Sequence, residues 1–306
     1  MNKKFVTIVS VLIILVFIGY MIFDSVRPER PAGNEIKKIT TDSFPDVWQI
    51  SREFKTEEGL LKAVTVSNDG KIYLGGDSFV SCYDKDLKLI WNLKTESPVT
   101  SLSNSGDTIF AATIDLILVI SSKGEKKDEW GPFEDKSIIT SITSNRSNIA
   151  FADAGNKMVL ILDKKGVVKK IVGQNDGQFV IPSPYFDVAL TKDNTLFVAN
   201  TGQRRVETRT IDGALKSYFG EPGIAPGAFC GCCNPAHFIL IPDGFVTAEK
   251  GINRIKILNK KGEFVEFVSK KNSFTRPVPL DLASADGKTI YAANPADSKL
   301  YIFTRK

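Results

Sequence analysis

Three of the four cysteines and the only histidine of this 306-residue chain fall within eight positions: Cys230-Gly231-Cys232-Cys233-Asn234-Pro235-Ala236-His237. Thiolate and imidazole are the soft donors that zinc, copper(I) and iron select, so Cys230, Cys232, Cys233 and His237 form a candidate ligand set for a transition-metal or redox centre. The spacing is neither Cys-x-x-Cys nor the adjacent Cys-His of haem attachment, and one loop does not easily aim three thiols at one ion. Two other readings stand beside it. A disulfide, vicinal at Cys232 and Cys233 or from Cys230 to either, would brace the loop; three reduced thiols would simply pack inside.

A single histidine leaves no material for a multi-histidine metal centre. No Ser/His/Asp arrangement, phosphate-binding loop or dinucleotide fingerprint is present, so no catalytic residue is assigned. The net charge of +5 is spread through the chain without a basic run or a basic stripe interleaved with aromatics, which argues against nucleic acid as a partner.

The elements that would position these groups repeat. Six times a small residue and then a polar one end an apolar run: Gly76-Asp77, Ala112-Thr113, Ala152-Asp153, Ala199-Asn200, Ala248-Glu249 and Ala293-Asn294. Four positions before each polar member stands a large apolar residue: Tyr73, Ile109, Ile149, Leu196, Phe245 and Ile290. The intervals are 36, 40, 47, 49 and 45 residues. Each copy holds further short apolar runs separated by turns such as Asp163-Lys164-Lys165-Gly166 and Asn259-Lys260-Lys261-Gly262. Four short antiparallel strands in about 43 residues is the period of a β-propeller blade. Six such units fill residues 44–306, the last lacks an outer strand, and the unassigned strand 47–54 at the other end is expected to supply it and close the ring.

This architecture places the cysteine segment in the loop leading into an inner strand, on the side where second strands end. The thiols, His237 and Glu249 are therefore expected at one rim of the central channel. The repeated polar residues, Asp77, Thr113, Asp153, Asn200, Glu249 and Asn294, form a channel-mouth ring with two readings. As structure they end strands and accept turn hydrogen bonds; as function their carboxylates and amides could hold calcium. Cys82 reads as a small core residue, and Trp91 and Trp130 read as packing between blades.

Residues 5–23 carry no charge and are long enough, at about 1.5 Å per helical residue, to cross a bilayer. Lys3 and Lys4 keep residues 1–4 cytoplasmic, and no small-x-small cleavage pattern follows the apolar run. The expected organisation is a signal anchor at 5–23, a linker at 24–43 and a propeller at 44–306. The propeller would face the periplasm or the extracellular space, single-pass in the cell membrane. The expected fold class is thus all-β, a six-bladed propeller preceded by a transmembrane helix.

Asp153-Ala154-Gly155-Asn156-Lys157-Met158-Val159 and Asn200-Thr201-Gly202-Gln203-Arg204-Arg205-Val206 resemble the Asp-x-x-Asn-x-x-Val core of NHL repeats. Glu249 to Ile255 fits with one inserted residue, and Phe186-Asp187-Val188-Ala189-Leu190 is similar to the inner-strand opening of those repeats. The Gly-Cys-Cys-Asn-Pro-x-His segment is similar to one in a bacterial subset of the family. Asp84 to Trp91 looks more like the turn-then-Trp segment of pyrroloquinoline-quinone-type repeats. The resemblance implies a binding platform, and the anchor together with the Cys/His cluster points to a protein partner in a membrane redox complex. It implies as an alternative a metal-dependent lactonase or lyase, using Glu249, Asp153 and Asn200; the cysteine loop itself leaves a further reading, an interaction module with a disulfide-braced loop.

Overall fold

The computed structural model describes residues 12–19, 43–173, 177–231, 233–270, 273–274 and 278–306. The chain divides into two compact units, 1–40 and 41–306. In the first, 12–19 is helical. Among the described residues no helix is long and apolar enough to cross a membrane, and the rest of the expected anchor, with nearly all of the linker, lies outside them.

The second unit is a six-bladed β-propeller with 24 strands among the described residues. After β1 (Trp48–Lys55), blade 1 comprises β2 (Leu61–Val66), β3 (Ile72–Gly76), β4 (Phe79–Tyr83) and β5 (Leu89–Lys94). Blade 2 is β6 (Ser101–Ser105), β7 (Thr108–Ala112), β8 (Ile117–Ser121) and β9 (Lys126–Trp130). Blade 3 is β10 (Ile139–Ser144), β11 (Asn148–Asp153), β12 (Met158–Asp163) and β13 (Val168–Val172). Blade 4 follows with β14 (Val188–Leu190), β15 (Leu196–Asn200), β16 (Arg205–Arg209) and β17 (Leu215–Phe219). Blade 5 has β18 (His237–Ile241), β19 (Gly244–Ala248), β20 (Ile255–Asn259) and β21 (Phe264–Ser269). Blade 6 is β22 (Asp281–Ala283), β23 (Thr289–Asn294) and β24 (Lys299–Arg305), with β1 as its outer strand.

All neighbouring strands within a blade are antiparallel, and β1 pairs with β24 from Trp48 opposite Arg305 to Lys55 opposite Lys299. Consecutive first strands touch around the ring, and β22 meets β2 to complete it. The segment before β1 is strapped across blade 5. Phe44 packs edge-on against Phe264 and Phe267, Lys270 donates to the Phe44 carbonyl at 2.6 Å, and Trp48 Nε1 donates to Glu266, which also pairs with Arg305.

The apolar residues sort into six clusters, each between two adjacent blades. Sequence explains how neighbours are keyed together. In blades 2 to 5, the turn before the outer strand holds a left-handed glycine, Gly124, Gly166, Gly213 or Gly262. Onto it sits a bulky side chain from the previous blade's outer strand: Trp91, Trp130, Val172 or Phe219 respectively. In blade 1, Leu87 takes the left-handed position, and it packs in the same cluster as Phe54 of β1. Trp91 also donates its indole N–H to the Ser122 carbonyl of blade 2 at 2.9 Å. Cys82 is fully buried in the seam between blades 1 and 2, where desolvation pushes its thiol pKa up to about 11.

A methyl group at Gly166 would lie 2.5 Å from the Trp130 ring at a φ of +79°. Gly166→Ala is therefore expected to destabilise the propeller by roughly 2–4 kcal/mol, from overpacking plus left-handed strain, as read by urea unfolding.

Candidate functional site

Five of the six repeated polar residues fasten backbone, and Asp77 instead pairs with a lysine side chain. Asp153 accepts from Ser137 Oγ at 2.8 Å, Ile138 N at 3.0 Å and both the main-chain and side-chain N–H of Asn156. Asn200 accepts from Val180 N at 2.9 Å and donates to the Gln178 carbonyl and to Glu207. Glu249 accepts from Cys230 N at 3.3 Å. In these three blades the last residue of the second strand, or the one after it, thus ties down the loop leading into the first. Thr113 accepts from Leu116 N, Asn294 from Ala296 N, and Asp77 pairs with Lys62. None of the six lines the central cavity.

Glu249 departs furthest from the expected channel-mouth role. It is buried against Arg254, whose Nε lies 2.6 Å from its carboxylate, and Lys256, 3.0 Å away, and the two cationic side chains are themselves fully enclosed. Arg254 spends its other donors on the carbonyls of Ile224, Ala225 and Ala228; Lys256 donates to Ala228 and lies over the Phe229 ring. Glu249 is the counter-ion of a buried cationic pair, because its strand-end side chain turns into blade 5. Blade 4 repeats the device with Glu207 between Arg205 and Arg209.

The cysteine loop is organised by Asn234. Its side-chain oxygen accepts Lys250 N, and its Nδ2 donates to the carbonyls of Lys250 and Cys230. Ser183 Oγ donates to Cys233 Sγ at 2.8 Å, and Cys233 is buried while Cys230 is partly exposed. With its main-chain N–H donating to Glu249, Cys230 occupies the position that Ile138 and Val180 hold in blades 3 and 4, both with exposed side chains. Cys232 lies outside the described residues. Among the described residues no group of three or more His, Cys, Asp or Glu side chains is arranged to hold a metal.

His237 takes other partners. As the first residue of β18 it stands between two neighbouring first strands, its Nδ1 3.7 Å from Asp187 Oδ2 and 3.8 Å from Asp281 Oδ1. Both carboxylates are fixed by main chain: Asp187 accepts Phe238 N at 2.6 Å and Val188 N at 2.9 Å, and Asp281 accepts Val64 N at 2.7 Å. Blades 2 and 3 make the same stitch with hydroxyls, Ser101 accepting Ile142 N and Ser141 accepting Val188 N. A polar ring thus runs from Ser101 through Ser141, Asp187 and His237 to Asp281. Burial works against the charged imidazole, but the nearby carboxylates of Asp187 and Asp281 outweigh it and raise the His237 pKa. Burial lifts Asp281 to about 6, with His237 offsetting part of the effect.

Asp187 and Asp281 line a cavity of about 1330 Å³ that occupies the channel and reaches the turns between first and second strands. Its wall is divided. β6 and β10 contribute Ser101, Ser103, Ser141 and Ser144, whereas β18 contributes the half-buried Ile239 and Leu240. Sequence reasoning missed this ring, although it carries a signal: Ser101, Ser141, Asp187, His237 and Asp281 each precede the polar member of their own repeat by 12 or 13 residues.

No protein-family profile and no curated protein matches the chain. Among solved structures it is similar to a streptogramin B lyase, at 14% identity and a TM-score of 0.60 over 85% of this chain and 98% of that one. A catalytically inactive His-to-Ala variant of virginiamycin B lyase from Staphylococcus aureus with quinupristin gives 17% identity and a TM-score of 0.61, over 84% of this chain and 99% of that one. The WD40 propeller domain of Doa1 gives 11% identity and a TM-score of 0.57, over 85% of this chain and 97% of that one. At these identities the likeness establishes the propeller fold, and it does not extend to the NHL family.

Removing the carboxylate in Glu249→Ala leaves two buried cations unpaired and is expected to cost about 3–5 kcal/mol in urea unfolding. Desolvation holds Lys256 down at about 8 from its ordinary 10.5, so the unfolded chain binds the extra proton between those values. Stability should therefore rise as pH climbs from about 8 towards 10.5, and Lys256→Met should abolish that rise.

Proposed function

We propose that the chain is a membrane-tethered binding platform whose propeller lies outside the cytoplasm and takes its ligand or partner in the central channel. The observation that carries this reading is the channel cavity itself. It is large, open at the turns between first and second strands, and lined on opposite sides by hydroxyls and aliphatic groups. The apolar run at 5–23 with its preceding lysines supports the tether. Propeller neighbours that include WD40 domains support a binding role by analogy of fold alone.

A second reading, an enzyme of the lyase kind, is favoured by one observation: His237 is an imidazole held between carboxylates beside a cavity. Such an arrangement can move a proton. The residues that would act are then His237, Asp187 and Asp281 rather than Glu249, Asp153 and Asn200, whose oxygens are committed to loops and cations. A metal or redox centre at the cysteine loop has its own experiment. Stoichiometric zinc, copper or iron in chain purified without chelator, lost in Cys233→Ser, would support it.

The platform reading is tested by photo-cross-linking. Benzoylphenylalanine at Ser144 or Leu240 in the cavity is expected to give a discrete adduct in membranes of the producing cells, and the same residue at Lys170 on an outer strand is not. Equal adducts from all three positions, or none from the cavity, would count against the platform.

A further inference from the structure

The charged residues of the channel cavity are sorted by sign. Its lining carboxylates are Asp69, Asp107, Asp187 and Asp281. Asp69 pairs with Lys71 at 2.9 Å, and the charge of Asp107 reaches the same lysine, so the charges that blades 1 and 2 bring are answered there. Asp187 and Asp281 stand at the start of their first strands, where main-chain N–H groups hold them. Arg146 and Lys192 stand at the other end, in the turns that leave β10 and β14. Asp187 and Lys192 share blade 4, but the whole of β14 lies between them, about 10 Å of extended chain.

Three cations are left over. Arg146, Lys164 and Lys192 all line the cavity, and among the described residues their charged groups have neither an ion pair nor a hydrogen bond. Lys164 is half-buried in the turn before β13, its ammonium 5.0 Å from the centre of the cavity-lining Phe110 ring, and desolvation holds its pKa below the ordinary value with no carboxylate to offset it. The turns that carry the three are fixed. Asn148 lies opposite Asp163, which brings the Arg146 and Lys164 turns to the same end of blade 3. Asn145 Nδ2 donates to the Thr191 carbonyl and to Asn194 Oδ1, and Asn148 Nδ2 donates to that same oxygen, each at 2.8 Å, so the Lys192 turn is bound to the Arg146 turn. The carboxylates on these turns are engaged elsewhere: Asp163 caps its own turn and pairs with Lys169, Asp193 accepts the hydroxyls of Thr191 and Thr195, and neither lines the cavity.

Cations without counter-charges around a half-enclosed mouth hold a positive potential, which the low-dielectric walls focus. One guanidinium and two ammoniums from separate turns offer more donors than the two oxygens of a carboxylate can take, whereas a phosphate group brings three acceptor oxygens and a charge of about −1.5 to −2. We propose that Arg146, Lys164 and Lys192 bind the phosphate group of a small ligand at the turn-side mouth of the channel. This rests on the channel-binding reading above and names the ligand class for it.

Inorganic phosphate is the probe and acetate the comparison, at one ionic strength made up with sodium chloride. The full chain in detergent is acylated with an N-hydroxysuccinimide ester and mapped by mass spectrometry, which reads each lysine separately. Phosphate at about ten times its dissociation constant should slow Lys164 and Lys192 together by about tenfold. Acetate should protect far less, and Lys170 on β13 should be indifferent. Arginine is not acylated, so Arg146→Gln tests convergence: it should raise the phosphate concentration that protects both lysines by about tenfold, which independent surface lysines would not show. Lys192→Met should do the same at Lys164. Both substitutions fall on exposed turn residues, so urea unfolding should match the parent chain. No protection, equal protection of Lys170, equal protection by acetate, or variants that leave protection unchanged would overturn the site. Cavity cross-links without phosphate protection would leave the platform standing and remove only this ligand class.

Discussion

Every blade of this propeller buries both of its faces, and it does so only against its neighbours. Among the described residues the apolar clusters lie in the six seams, with none at a common centre. A ring built this way has no stable partial form, because an open stack would leave the faces of blades 1 and 6 in water and a strand edge unpaired. The pairing of β1 with β24 is therefore the constraint on which the other seams depend. Its strap, through Phe44, Lys270, Trp48 and Glu266, extends the closure into blade 5 and ties three blades through one stretch of chain.

Once the ring is closed, chemistry depends on which side chains the first strands turn to the channel. Blades 2 and 3 stitch to their neighbours with neutral hydroxyls. Blades 4 and 6 use carboxylates for the same backbone bond, and blade 5 inserts an imidazole between them. A position whose basic duty is to satisfy a main-chain N–H has thus become, in three consecutive blades, a cluster of titratable groups beside a cavity. The carboxylates away from the channel show the opposite outcome: Glu249, just after β19, and Glu207, in β16, are each enclosed in their blades against Arg or Lys side chains.

The blade number was legible in the sequence because the repeated small-polar pair marks the end of each second strand, and the interval between pairs is a length that only four strands fill. The keying of Trp91 and Trp130 between blades was legible too, since a large aromatic in an outer strand has little else to cover. Side-chain direction was not. His237 is four residues from Cys233, yet β18 begins at His237, and a strand's alternation turns it towards Asp187 and Asp281, 50 and 44 positions away. Glu249 reads as a channel carboxylate until Arg254 and Lys256 are recognised as cations with no solvent-facing position in β20 and the turn before it. Asp187 was visible as the opening of an inner strand and passed over, because a hydrogen bond between first strands has no signature within one repeat.

The closure also sets an order of events during synthesis. β1 leaves the ribosome first among the strands, but its partner spans Lys299–Arg305 at the far end of the chain. Until that end is released, Trp48, Ile50 and Phe54 belong to no sheet, and blades 1 to 5 assemble beside an unclaimed strand. The final seam can form only after β24 has emerged, and it carries the largest loop-closure entropy of the ring. A nascent chain of this protein is a nearly complete ring that waits for the seven residues of β24, and whatever guards β1 in that interval guards the whole fold.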